Sequence, residues 1–506
     1  MSVYALILQQ SIIRPLTNEE YGRLAYYAPR VKRIQELCPL FPPRFHGNFI
    51  FETSVIAALA SRWSMSQLLF PNVHVLRLDP ARDQYRYLHA LFGPQLRQIS
   101  SDAAAFPGMQ DVDSEEYRQM LVMLQEMAPL LTHFELKIDG VPFREPFGLP
   151  FGESLGEPLG EPFGELYPST ILSAMYATLR SFKHLVSVRT GALPIDMQTF
   201  RYLASLPQLE FMEARPADHI VERDFRWLYT SGHEVYFPSL REIYLQYDMD
   251  PGPLSTVLQH IRSSRLNVIH VKPFGQTVVS LDRALHLLSV VLSRSGMESI
   301  TQLSITMPTQ RLDGAALHEQ HLEPLLRLGR LTHLKLRFGC PVVVTEAMLR
   351  RAAEAWPNIR ELTLDPDFSQ TESPVTLASL FPFAQKCPHL VVLGLPIDAR
   401  LSLLSAELLH QARAGLVNGI CPLERLIVGE SDLLNQGSPM EYAEFLLDIF
   451  PRLRRVSSRL PHMLWLELSV DSIPRVARQR GREWKKSLDE PVRRVWGTPG
   501  LPTKKR

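Results

Sequence analysis

The nearest approach to catalytic spacing in this chain of 506 residues is His318-Glu319-Gln320-His321. A metalloprotease helix of the H-E-x-x-H type sets its histidines four apart, so that both face one zinc ion while the glutamate serves as base. Here the separation is three, and the segment reads as a surface patch on a helix, with no metal and no cofactor expected. No G-x-S-x-G elbow, G-x-x-x-x-G-K-[ST] loop or G-x-G-x-x-G fingerprint occurs. Serine hydrolases, P-loop enzymes and dinucleotide-dependent enzymes therefore lose their sequence support. The cysteines Cys38, Cys340, Cys387 and Cys421 form no C-x-x-C pair and read as small buried hydrophobes. The remaining His, Asp and Glu residues are scattered, so no catalytic residue is nominated and the chain is expected to bind rather than transform.

What positions the side chains is a repeat. A bulky residue, Cys or small residue, often followed by Pro, leads through one position to an aliphatic anchor and then to an L-x-x-L-x-L step. Examples are Phe237-Pro238-Ser239-Leu240, Trp356-Pro357-Asn358-Ile359 and Cys387-Pro388-His389-Leu390. The anchors fall at 31, 73, 96, 131, 185, 209, 240, 266, 300, 331, 359, 390, 423 and 453. From 209 onward they recur about every 30 residues, the signature of stacked supersecondary units. Two-helix repeats have similar lengths, but steps such as Leu334-Lys335-Leu336 put two apolar side chains on one face of a strand. Only one helix fits in what is left. Thr345 and Ser405 are expected to cap helices near 346–356 and 406–413, and Ser438-Pro439-Met440-Glu441 to open a third.

Strand, turn and helix in each repeat predict an α/β fold: an irregular leucine-rich-repeat solenoid, a horseshoe with parallel strands lining its concave face and helices on its convex face. It is irregular because the Asn or Cys that usually follows the L-x-L step is mostly missing. Residues between the buried leucines would point outward in register across repeats. The partner-binding candidates on that face are Tyr244, His270, Lys272, Ser304, His333, Lys335, Arg337 and Thr363. Tyr and Arg among them are the types favoured at interface hot spots.

Composition agrees with a folded chain. It is 45% hydrophobic, with 54 Lys+Arg against 53 Asp+Glu, which excludes a disordered polyampholyte. The apolar run at 3–8 lacks a basic leader, and that at 284–293, between Arg283 and Arg294, is far short of the ~20 residues of a membrane span. None of the seven asparagines lies in an N-x-[ST] acceptor, and a cytoplasmic or nuclear location is expected. Charge is uneven. Residues 475–506 carry eleven basic and three acidic side chains, so the alternative reading is a repeat scaffold using this tail on nucleic acid or an anionic surface. Residues 145–164 repeat a Pro/Gly/Glu tetrapeptide (EPFG, LPFG, ESLG, EPLG, EPFG), expected as a surface excursion. The organisation expected is a lead-in helix at 1–27, irregular repeats at 28–142, this loop at 143–167, the main repeats at 168–470 and a basic tail at 471–506.

The phrases Arg14-Pro15-Leu16-Thr17-Asn18-Glu19-Glu20, Tyr27-Ala28-Pro29-Arg30-Val31 and Leu69-Phe70-Pro71-Asn72-Val73-His74-Val75-Leu76-Arg77-Leu78 resemble those of large fungal, mainly mushroom-type, F-box proteins with degenerate leucine-rich repeats. In that family an N-terminal F-box docks on a Skp adaptor and the repeats present a substrate protein to a cullin-based ubiquitin ligase. The resemblance thus implies a substrate receptor. The residues ahead of Ala28 lack the leucine-proline opening and the Trp-containing end of an F-box, so the motif is expected to be missing here. A Skp adaptor is then a partner only if an F-box lies upstream, and no membrane partner is expected.

Overall fold

The computed structural model describes residues 17–35, 70–78, 91–103, 114–138, 169–217, 236–247, 251–274, 279–294, 296–307, 316–364, 375–398, 421–428, 445–447, 449–459 and 465–469. The tetrapeptide loop, the basic tail and the helices expected after Ser405 and Ser438 fall wholly or largely outside them. Each of the fourteen anchors stands two residues before a strand, and all but Val31 are buried. The reason is local. In many repeats the anchor N–H donates to the carbonyl three residues back, as Val73 does to Phe70 (3.2 Å), Ile359 to Trp356 (3.1 Å) and Leu390 to Cys387 (3.2 Å). That turn swings the chain into the strand and drives the anchor inward.

The chain divides into two compact units. The first comprises Met1–Phe143, Glu157–Asn267 and Val271–Thr277. Its strands are β1 (Arg33–Gln35), β2 (Val75–Leu78), β3 (Gln98–Ala103), β4 (His133–Ile138), β5 (Ser187–Ile195), β6 (Phe211–Pro216) and β7 (Glu242–Tyr247). They pair in parallel and in chain order. Helix α1 (Asn18–Tyr27) precedes β1; α2 (Ser114–Met127), α3 (Ser169–Ser181), α4 (Met197–Ser205) and α5 (Gly252–His260) lie between strands in sequence, and α3 packs on both α2 and α4. Helix α4 starts where Asp196 accepts from the Thr199 N–H (2.8 Å), a side-chain cap on an otherwise orphan donor.

The second unit comprises Arg144–Gly156, Val268–His270 and Val278–Arg506, so that β8 (Val268–Pro273) has residues in both. Here β9 (Gln302–Thr306), β11 (His333–Arg337), β13 (Glu361–Leu364), β14 (Val392–Gly394), β15 (Arg425–Ile427) and β16 (Arg455–Arg459) pair in parallel in that order. Helices α6 (Leu281–Ser293), α8 (Glu346–Ala355) and α9 (Leu380–Lys386) supply crossovers, and α8 packs on α9. Thr345 caps α8 as expected, accepting from the Met348 N–H (3.1 Å). Both units are thus α/β stacks of the leucine-rich-repeat type.

Two features depart from a uniform strand–turn–helix plan. Strand β17 (Trp465–Ser469) runs antiparallel to β16, since five intervening residues are too few for the crossover that a parallel pair would need. Strands β10 (Leu317–His318) and β12 (Val342–Val343) pair with each other in a small parallel sheet of their own.

The core is a ladder. On β9 and β11 burial alternates strictly: Leu303, Ile305, Leu334 and Leu336 are inside and their neighbours are not. Each fully buried Leu or Ile contributes roughly 1.5–3 kcal/mol. Polar bonds between repeats come from ahead of the strand and replace the missing Asn. Trp356 Nε1 donates to the Leu325 carbonyl (3.3 Å), the Cys387 thiol to that of Trp356 (3.7 Å), the Cys421 thiol to that of Leu390 (3.7 Å) and Thr332 to that of Thr301 (2.9 Å). Every one reaches back 31 residues, the length of a repeat. In the first unit Thr132 does the same to Arg97 (2.9 Å) and Ser239 to Pro207 (2.6 Å).

Burial holds these thiols protonated, pushing Cys387 up to about 12 and Cys421 up to about 11. Only the thiolate alkylates, so iodoacetamide at about pH 8 should label neither residue in the folded protein and both after unfolding in urea, as peptide mass mapping would record. Native labelling of either would contradict their place in the ladder.

Candidate functional site

The strand face opposite the buried leucines carries one residue of each strand in a common row, and the position is always the anchor plus four. In the first unit the row reads Arg77, Ser100, Glu135, Arg189, Glu213, Tyr244, each in register with the next. In the second it reads Ser304, Lys335, Thr363, Gly394, Ile427, Ser457.

The first row is held together by its own contacts. Ser100 donates to Glu135 (3.1 Å), Arg189 Nη1 lies 3.5 Å from Glu135 Oε1, and the Arg189 guanidinium sits 4.2 Å from the centre of the Phe211 ring. Phe211 in turn meets Tyr244 at 5.2 Å between ring centres. Burial, and then the charge of Glu242, hold the Tyr244 phenol above its usual range, so it stays a neutral donor. The side chains of Arg189 and Glu135 keep 35% and 25% of their surface exposed, enough to be touched and too little to wander. Strand β5 helps to aim Arg189. The register with both neighbouring strands shifts just beyond Arg189, at a bulge where Gly191 takes φ 55°, a left-handed conformation that a side chain would strain. Toward the C-terminal ends of β6 and β7 the face closes: Arg215 is 1% exposed, its guanidinium 4.2 Å from the Phe274 ring centre, and the buried Gln246 donates to Glu213 (3.5 Å).

Of the eight residues nominated from sequence, Tyr244 belongs to this cluster. Ser304, His333, Lys335 and Arg337 stand half-buried on β9 and β11. On β8, His270 is half-buried and Lys272 exposed. Thr363 is a correction: it faces outward by alternation yet is 2% exposed, because its side chain leans over Gly394, where an added Cβ would come 3.2 Å from its methyl group. Glu135, Arg189 and Glu213 were missed, although the anchors at 131, 185 and 209 already point to them by the same offset; Phe211, two residues after its anchor, was missed as well.

His333 has a defined tautomer. Thr332 spends its single proton on the Thr301 carbonyl and so can only accept from His333 Nδ1 (2.9 Å), which leaves Nε2 as an acceptor on the neutral ring. Thr132 and His133 repeat the device at the same distance in the first unit.

The His318/His321 pair serves to cap a helix. His318 ends β10 and is the N-cap of α7 (Glu319–Leu322); its side chain accepts from the His321 backbone while its own N–H donates to His321 Nδ1 (3.2 Å). The two rings form a reciprocal capping box rather than sharing one helix face. Burial, then the charge of His318, lower the His321 pKa and keep that ring neutral for the role. Among the described residues no three His, Cys, Asp or Glu side chains gather as a metal would require, and no helix is long and apolar enough to cross a membrane.

No protein-family model matches this sequence, and no curated protein does. Among solved structures the chain is similar to an internalin from Listeria monocytogenes, with 11% identity, a TM-score of 0.34, 75% of this chain covered and 88% of the other. It is similar to the yeast Rad7–Elc1 complex at 13% and 0.34, covering 80% and 82%. It is also similar to TLR13 in complex with ssRNA13 at 13% and 0.34, covering 88% and 56%. Likeness at that level says nothing of ligand or partner.

Proposed function

We propose that this chain is a non-catalytic protein-recognition module whose outward strand faces hold another protein. The observation that carries the reading is Arg189 clamped between Glu135 and the Phe211 ring, with Tyr244 beside it. Arg and Tyr held in place by neighbours lose little freedom on binding, which is what an interface anchor needs.

The resemblance of the segments at 14–31 and 69–78 to fungal F-box repeat proteins supports a finer reading: the bound protein is a substrate destined for a cullin-based ubiquitin ligase. Co-precipitation with a Skp adaptor tests that part separately.

The recognition reading is tested by photo-crosslinking. A benzophenone amino acid replaces Ser187, which lies in register with Phe211, and in a second protein it replaces the exposed Arg201 on α4. A partner should crosslink from position 187, not from 201, and the product should vanish when Arg189→Glu is added. Equal labelling from both positions would sink the assignment.

A further inference from the structure

The tripeptide Leu-Thr-His occurs at 131–133 in the first unit and again at 331–333 in the second, and both copies are built alike. In each, the threonine hydroxyl gives its proton to a carbonyl of the preceding repeat, so Nδ1 carries the ring proton and Nε2, on the side of the ring away from the backbone, is an acceptor. Burial holds the His133 pKa below the usual imidazole value, which keeps that ring neutral at pH 7. The neighbours repeat as well. On the preceding strand a glutamine stands in register, Gln98 with His133 and Gln302 with His333. On the following strand stands an oxygen acceptor, Ser187 beside His133 and Glu361 beside His333. His133 is exposed and the other members of the two trios are half-buried. We infer, building on the recognition reading above, that each trio holds the side-chain carboxamide of an Asn or Gln of the partner protein.

Hydrogen-bonding capacity selects that occupant. Adjacent strands lie about 4.8 Å apart, so three side chains in register on one face can close on a single small group. A primary carboxamide carries its oxygen and one N–H on the same edge, with a second N–H beyond. The glutamine amide donates to the oxygen, Nε2 accepts the first proton, and the serine or glutamate oxygen accepts the second. A backbone peptide group fits poorly, because a trans peptide points its N–H and its carbonyl in opposite directions. A carboxylate has no proton for Nε2 and would set its charge against that lone pair. A Lys ammonium would leave the donors of the glutamine amide unused. It would also stand near a cation in both places, Arg189 two residues beyond Ser187 and Lys335 two residues beyond His333.

The test uses the full chain and three fluorescein-labelled peptides in which Ser alternates with Asn, Asp or Lys, read by anisotropy. The parent should bind the Asn peptide at least about tenfold more tightly than either of the others, since a site made to hydrogen-bond one group rejects analogues that cannot complete its bonds. The His133→Lys/His333→Lys double variant puts a donor in place of each acceptor. Its preference should pass from Asn to Asp with an unchanged circular-dichroism spectrum, a reversal that a merely structural histidine would not produce. Equal binding of the three peptides, tightest binding of the Lys peptide, no binding of the Asn peptide at millimolar concentration, or an Asn preference that survives in the double variant would each overturn the inference. Any of these results with position-187 crosslinking intact spares the reading on which it rests.

Discussion

Trp356→Ala is expected to lower folding stability by about 3–5 kcal/mol, the range for deleting a large ring from a closed core. Trp356 is 1% exposed and stands at the junction of three repeats. Its indole N–H donates to the Leu325 carbonyl of the preceding repeat, and its own carbonyl accepts from the Ile359 N–H that turns the chain into β13 and from the Cys387 thiol of the following repeat. Removing the ring opens a cavity and leaves the Leu325 carbonyl with one bond fewer. In a stack where each repeat leans on its neighbours, damage at one interface is shared by those beside it. Trp356→Phe separates the contributions: it keeps most of the apolar volume and loses the indole donor, so about 1 kcal/mol belongs to it. Urea unfolding followed by circular dichroism measures both. A cost under about 1 kcal/mol for the alanine variant would mean that the repeats do not bear on one another through this residue.

The second large effect is on binding. Arg189→Glu should weaken the crosslinked partner's affinity by about thirtyfold or more, corresponding to about 2 kcal/mol, the usual threshold of an interface hot spot. The substitution aligns carboxylates at 135, 189 and 213 on three adjacent strands and removes the cation stacked on Phe211. Stability should change little, since exposed ion pairs contribute about 0–1 kcal/mol and like charges across strands cost a similar amount. Arg189→Lys tests geometry rather than charge. A lysine keeps the positive sign but not the planar fork that touches Glu135 and the ring together, and it should recover only part of the affinity. Titration calorimetry with the purified partner gives both numbers. An unaffected Kd for the glutamate variant would place the interface elsewhere.

The nominations on β9 and β11 came from the second face, which regular 30-residue steps make easy to read. The first face lies mostly among irregular steps, at anchors 73 to 209.

Much of the fold is legible because it is local. An anchor, a reverse turn and an L-x-L step are set within a few residues, and the period of two along a strand then assigns each side chain to one face. Hence each anchor stands two residues before a main-ladder parallel strand and Thr345 caps its helix, whereas most members of the first unit's row were not nominated. Tertiary structure decided the rest, because exposure and polarity depend on what arrives from other repeats. Thr363 is outward in parity but buried by packing against a glycine one strand over, and the two histidines cap a turn only because β10 finds β12. The clamp on Arg189 exists because a bulge two residues on in β5 and a ring on β6 meet at one place. Residue order sets direction along the chain, while neighbours across the sheet set what each side chain touches.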